Sequence, residues 1–219
     1  MVKNDYVMRM IEQLSAVIGQ IIGLKNQKKF KESQEILNTT LKRYLGLNLQ
    51  SLDILSYKDL IRIISAGEKP DSEKCIILAE LLKQESGIYE AQGNYINAYS
   101  LQLKSLNILI EVLLADADVY SEQYLDKINE IINLVKVYEI PSNTKGLLFQ
   151  FYELTGSYDK AEDVFFEWLE SEKNSKDIIN KGIAFYKRLM NKGEEELIEG
   201  NLPVNEVVES LNKLQEYPR

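Results

Sequence analysis

A chain of 219 residues that is 45% hydrophobic holds enough apolar material for one elongated domain or two small ones, which excludes a disordered polymer. Its 26 Lys and Arg stand against 34 Asp and Glu, and the net charge of −8 repels a phosphate backbone, so nucleic acid is not an expected partner. Histidine is absent, which removes Ser-His-Asp and Cys-His catalysis and the commonest metal ligand.

No uncharged run reaches the roughly 18 apolar residues that a membrane span needs; the longest, AQGNYINAYSLQL from Ala91 to Leu103, is dotted with polar groups. The opening MVKNDYVMRMIEQL lacks the basic, apolar, small order of a secretory signal, and the single Cys75 permits no internal disulfide. A cytoplasmic setting is expected.

Val7, Met10, Ile11, Leu14, Val17, Ile18, Ile21 and Ile22 follow the helical period and predict a long amphipathic helix over about 5–26. Its wide apolar arc suits core packing or pairing with a second copy of the chain. Phe30, Ile36, Leu37, Leu41, Tyr44 and Leu45 predict a second helix stopped by Gly46, antiparallel to the first. Ser51 and Ser56 compete as N-caps, leaving one kinked helix or two short ones over 51–65.

After the break AGEKPDS, Asp71 or Ser72 caps a helix bearing Cys75, Leu78, Ala79, Leu82 and Tyr89. Asn94 starts the next, with Tyr95, Ala98, Tyr99, Leu106, Leu109, Ile110 and Leu113. A helix through Leu125, Ile128, Ile131, Ile132 and Val135 must end before Pro141. Leu147, Leu148, Phe151 and Tyr152 mark a helix at about 143–155, and Ser157 opens its partner with Ala161, Val164, Phe165, Trp168 and Leu169. Ser175 caps a helix with Ile179, Ile183, Tyr186 and Leu189. NKGEEELIEGNLP interrupts, and Val204, Val207, Val208, Leu211 and Leu214 close an array of about nine to eleven helices without a strand.

Aligning EAQGNYINAYSLQLKSL (Glu90–Leu106) with ELTGSYDKAEDVFFEWL (Glu153–Leu169) superposes Glu, Gly, Tyr, Ala and Leu, with Tyr89 and Tyr152 just before. Gly93 and Gly156 supply left-handed turns, Asn94 and Ser157 cap the helices that follow, Tyr95 and Tyr158 wedge between helices, and Ala98 and Ala161 permit close approach. This pattern resembles the tetratricopeptide repeat. Leu82, Tyr89, Gly93, Tyr95 and Ala98 carry it in one copy; Leu148, Tyr152, Gly156, Tyr158, Ala161 and Phe165 carry it in another. A degenerate third lies at LKNQKKFKESQEILNTTL, with Phe30 as the wedge and Lys28 and Ser33 at the Gly and Ala positions.

Ser105 and Trp168 stand where the repeat has a small residue, and a Trp there predicts that regular stacking fails after about residue 170. The turn glycines are 63 residues apart with three helices between them, so either the helix at 119–139 is split or the second hairpin has reversed parity. The resemblance implies an all-α fold, an irregular tetratricopeptide-like α-solenoid of antiparallel hairpins, as a single domain over 1–219 with 173–219 as a capping region. The length and the opening NDYVMRMIEQL are also similar to uncharacterised bacterial proteins with helical-repeat folds, which implies fold and a cytosolic setting and supplies no activity.

Chemistry is sparse. Cys75 falls on an apolar face and reads as core. Asp116 and Asp118 lack calcium-loop order, and Asp118 reads as a helix cap; Glu194–Glu199 read as a solvated first turn. No phosphate-binding glycine motif occurs. Tyr89, Tyr95, Tyr152 and Tyr158 read as packed, while Tyr99, Tyr120 and Tyr138 suit core and surface equally. The expectation is a non-enzymatic scaffold without cofactor or metal, binding a protein or peptide in a groove around Lys83, Gly87, Glu90, Gln150 and Glu153, or else a homo-oligomer assembled through the first helix. Tetratricopeptide modules that grip a C-terminal carboxylate use Lys and Asn at positions held here by Lys83 with Gly87 and Gly146 with Gln150. Only Lys83 fits, so that clamp is not expected.

Overall fold

The structure, a computed structural model, describes residues 2–67, 69–173 and 175–216, with side chains from Leu14 onward. Among these are twelve α-helices and no strand. The chain forms two compact units, residues 1–139 and 140–219.

In the first unit, α1 (Val2–Asn26) and α2 (Phe30–Leu45) form a hairpin. The 51–65 region resolves into two helices, α3 (Leu49–Ile54) and α4 (Tyr57–Ile64). The cap of α3 is Asn48, not Ser51: Asn48 Oδ1 accepts from the Ser51 amide at 2.9 Å, and Ser51 Oγ accepts in return from the Asn48 amide. Ser56 caps α4, and Leu55 between them is extended, which breaks the helix.

Helices α5 (Ser72–Ala91) and α6 (Tyr95–Ala115) are the long central pair. Asp71 caps α5 by accepting from the Lys74 amide. Although Lys104 and Glu111 interrupt it, α6 is long and apolar enough to cross a membrane by length and composition; 67% of its most apolar 18-residue stretch is buried inside the protein, as suits a core helix. A 3₁₀ turn, Ala117–Val119, precedes α7 (Glu122–Val135). Here the cap is Asp116, whose carboxylate accepts from the Asp118 amide, so Asp118 is the capped residue and not the cap. Ser121 caps α7.

In the second unit, α8 (Ser142–Leu154) pairs with α9 (Tyr158–Ser171), and α10 (Lys176–Leu189) packs on α12 (Val204–Gln215). The segment GEEELIEG forms a short helix, α11 (Glu194–Glu199), with three exposed glutamates in its first turn. Phe149, Phe165, Trp168, Phe185 and Tyr186 fill the core, where Phe149 meets Phe185 edge to face at 5.1 Å between ring centroids.

One turn is built three times. Lys28, Gly93 and Gly156 take left-handed φ angles of 59°, 78° and 74°. Each following residue then has nearly the same backbone: Lys29 at −88°, 61°, Asn94 at −93°, 71° and Ser157 at −87°, 68°. The amide of that residue donates to a carbonyl five back, Lys29 to Leu24 at 2.9 Å, Asn94 to Tyr89 at 2.8 Å and Ser157 to Tyr152 at 2.9 Å. Five residues beyond the left-handed position lie Ser33, Ala98 and Ala161, all at most 2% exposed. Ser33 matches the alanines because its hydroxyl donates to the Ile21 carbonyl at 3.0 Å, which satisfies the only polar group the change introduces.

Two expected roles differ between the copies. Asn94 caps α6 through its side chain, whereas Ser157 and Ser175 occupy N-cap positions without a side-chain cap bond. Tyr158 is 2% exposed, but Tyr95 is 60% exposed and wedges nothing. The difference lies in what covers each ring: Tyr158 meets Gly200 just after α11, and its hydroxyl donates to Glu196 at 2.7 Å.

Trp168 also finds a local solution. Its ring lies 3.1 Å from where a β-carbon on Gly146 would stand, and its Nε1 donates to Ser142 Oγ at 2.9 Å, so α8 has given up bulk to seat it. The corresponding residues one copy earlier are joined as well, since Ser105 Oγ donates to the Ala79 carbonyl at 2.8 Å. Between Gly93 and Gly156 run α6, the 3₁₀ turn, α7 and α8, so the helix read at 119–139 is not split.

Candidate functional site

Lys83, Gly87 and Glu90 follow one another on α5 at intervals of four and three residues, yet each meets a different helix of the first unit. Lys83 reaches α7, where Nζ stands 2.6 Å from Glu130 Oε2, and Lys127 of α7 returns to Glu80 of α5 at 3.2 Å. Because both partners advance together along the two helices, α7 runs in the same direction as α5. Gly87 lies under Lys25 of α1, whose Nζ would be 3.0 Å from an added β-carbon. Glu90 accepts from Gln102 Nε2 of α6 at 2.7 Å.

In the second unit, Glu153 of α8 takes the Arg188 guanidinium of α10 in two bonds, of 2.6 and 2.8 Å. This planar match holds the arginine charged, and the hydrogen bond leads its upward shift. Gln150 is exposed and its amide donates to the Gly146 carbonyl one turn back. All three charged members of the expected groove therefore already carry polar partners within their own unit. These contacts join helices distant in sequence, so no motif reading finds them.

Tyr99, Tyr120 and Tyr138 resolve toward the surface. Tyr120 is 47% and Tyr138 45% exposed, and Tyr99 stacks on Tyr138 with centroids 4.7 Å apart while donating to the Glu139 carbonyl. Ile96 of α6 and Val137 in the turn after α7 are also well exposed. Cys75 is fully buried, and desolvation pushes its thiol up to about 12, so it stays a neutral core group at physiological pH.

A cleft of about 340 Å³ opens where α5 begins and α6 ends, lined by Lys69, Asp71, Glu73, Asp116 and Asp118 among others. Of its carboxylates, Asp71 accepts from the Lys74 amide and Asp116 from the Asp118 amide and from the Ser72 hydroxyl, which donates at 2.7 Å. Among the described residues no three His, Cys, Asp or Glu side chains stand together as a metal site.

The sequence reading missed a buried polar centre. Glu85 sits on the apolar stripe of α5, between Leu82 and Ile88, and is 2% exposed. Its Oε1 accepts from Gln34 Nε2 of α2 at 2.5 Å, and its Oε2 has no partner among the described residues. Nearby, the Tyr89 hydroxyl donates to the Asp53 carboxylate at 3.3 Å, and Lys104 of α6 donates to the Leu52 and Asp53 carbonyls at 2.6 and 3.2 Å. Desolvation, followed by the Asp53 charge, outweighs the Gln34 bond and raises the Glu85 carboxyl to about 7. A carboxylate at a core position was the visible signal.

These features define an all-helical protein with hairpins of one turn geometry, in which Lys83, Glu90 and Glu153 are paired internally. A family model described as a family of unknown function, DUF6483, matches residues 1–218, and the chain belongs to that family. Neither the curated proteins nor the solved structures offer a match to it.

Proposed function

We propose that the protein is a non-enzymatic scaffold of tetratricopeptide-like type, an irregular α-solenoid that binds a protein or peptide segment. The threefold recurrence of the Lys28, Gly93 and Gly156 turn, with a small buried residue five positions on, carries this reading. Hairpins that share one turn and one close-approach site present their helices in a repeated way, and such arrays serve chiefly to display surface to a partner. α7 following α5 in the same direction agrees with a continued array, and a cytoplasmic protein partner fits the lone buried thiol.

Lys83, Gly87 and Glu90 in the first unit and, separately, Gln150 and Glu153 in the second remain the proposed contacts. A ligand that engages Lys83 or Glu153 competes with Glu130 or Arg188, which favours segments carrying both charge signs. Such exposed pairs contribute roughly 0–1 kcal/mol each, little enough for a ligand to displace. The test is selection from a random peptide library against the full chain, followed by titration calorimetry of the enriched sequences. Peptides whose affinity falls tenfold on Lys83→Glu or Glu153→Lys support the proposal; enrichment of none, or indifference to both changes, removes it.

A further inference from the structure

We propose that Glu85 and Gln34 form a proton-operated latch that holds α2 against α5 and releases it when Glu85 ionises. Four helices meet at this point. α2 brings Gln34, α3 brings Asp53, α5 brings Glu85 and Tyr89, and α6 brings Lys104.

Among the described residues, the charges around Glu85 give an ionised carboxylate no compensation. Asp53 is a second negative group. Lys104 is committed to the carbonyls of Leu52 and Asp53. From α1, Lys25 places its ammonium over Gly87. On α2, Lys31 and Glu35 are exposed, which leaves the neutral Gln34 as the group that faces the carboxyl. Tyr89, its hydroxyl raised to about 12, stays a neutral donor to Asp53 through the physiological range.

A neutral carboxyl tolerates one accepted bond and one orphaned oxygen; a carboxylate with an orphaned buried oxygen does not. Water is the donor that repairs it, and Gln34 is the side chain bonded to Glu85 among the described residues. Admitting water therefore means moving α2. With the closed-state carboxyl near 7 and an open-state value near its ordinary 4.5, the ratio of open to closed should rise about tenfold between pH 6 and pH 8.

Amide hydrogen exchange on the full chain reads this directly, once the intrinsic pH dependence of exchange is divided out. Protection across α2 is expected to fall about tenfold from pH 6 to pH 8 in the wild type and to stay level in Glu85→Gln. Level protection in the wild type, or an equal fall in Glu85→Gln, overturns the latch. Carbon-13 NMR of the Glu85 carboxyl needs no variant: a midpoint near 7 supports the proposal, and one near 4.5 overturns it.

Discussion

The Tyr158 ring occupies the space that a side chain on Gly200 would need, with Cδ2 only 2.2 Å from the position of a β-carbon there. Tyr158 is therefore held by a segment some forty residues downstream as well as by its own hairpin. Tyr158→Ala should cost about 3–5 kcal/mol, in the range of large aromatic truncations in cores. The equivalent Tyr95→Ala should cost less than about 0.5 kcal/mol, because that ring is 60% exposed. Urea denaturation of both variants checks the pair, and equal losses would contradict the asymmetry.

Two helical glycines should respond to alanine with opposite sign. At Gly182 of α10 an added β-carbon falls 2.2 Å from Phe165 Cζ and 2.9 Å from Leu214 Cδ1, both in buried residues, whereas at Gly19 of α1 it meets nothing within 4 Å. Gly182→Ala should destabilise by about 1–3 kcal/mol, less whatever helix propensity returns. Gly19→Ala should stabilise by up to about 1 kcal/mol. Thermal melts of the two variants against wild type give both signs in one experiment.

Lys28 holds a left-handed conformation without the glycine that its counterparts have. A side chain there costs roughly 1–2 kcal/mol against the β-carbon, offset in part by the greater unfolded-state freedom of glycine. Lys28→Gly should leave stability unchanged or raise it by up to about 1 kcal/mol. Gly93→Ala and Gly156→Ala should lower it by about 1 kcal/mol each, although neither β-carbon would meet an atom within 4 Å. A uniform loss at all three positions, measured by denaturant midpoint, would contradict their equivalence.

Glu85 sets a pH dependence with a definite sign. Its folded value of about 7 lies above the ordinary 4.5, so the folded state holds the proton more tightly than the unfolded one. That advantage is complete below pH 4.5, is lost as pH rises to 7 and is absent above. Glu85→Gln removes the term, so the variant should gain about 1–3 kcal/mol on wild type in going from pH 4.5 to pH 8. Chemical denaturation at the two pH values measures this difference, and a constant offset would contradict it.

What the sequence makes legible is local. Gly93, Gly156, Ala98 and Ala161 declare the hairpin turns because their steric freedom is intrinsic and their spacing is short. Asn48 is harder to see than Ser51, since the two share a capping box and only the backbone geometry decides which is the cap. The fates of Tyr95 and Tyr158 are not local at all: identical motifs diverge because one of them is covered by Glu196 and Gly200. Trp168 reads as an obstacle until Gly146 is found beneath it. The site is less legible still, because Lys83 and Glu153 are answered by Glu130 and Arg188 from helices that sequence proximity does not link to them.

The seat of Trp168 turns one half of the molecule into its own reporter. As the sole indole in the chain, bonded to Ser142 and flanked by Phe149 with Lys181 over its ring, it emits from within the second unit only. Tryptophan fluorescence thus follows residues 140–219, whereas far-ultraviolet circular dichroism sums the helices of both units. Where the two signals part during denaturation, the units melt separately; where they coincide, unfolding is a single cooperative event.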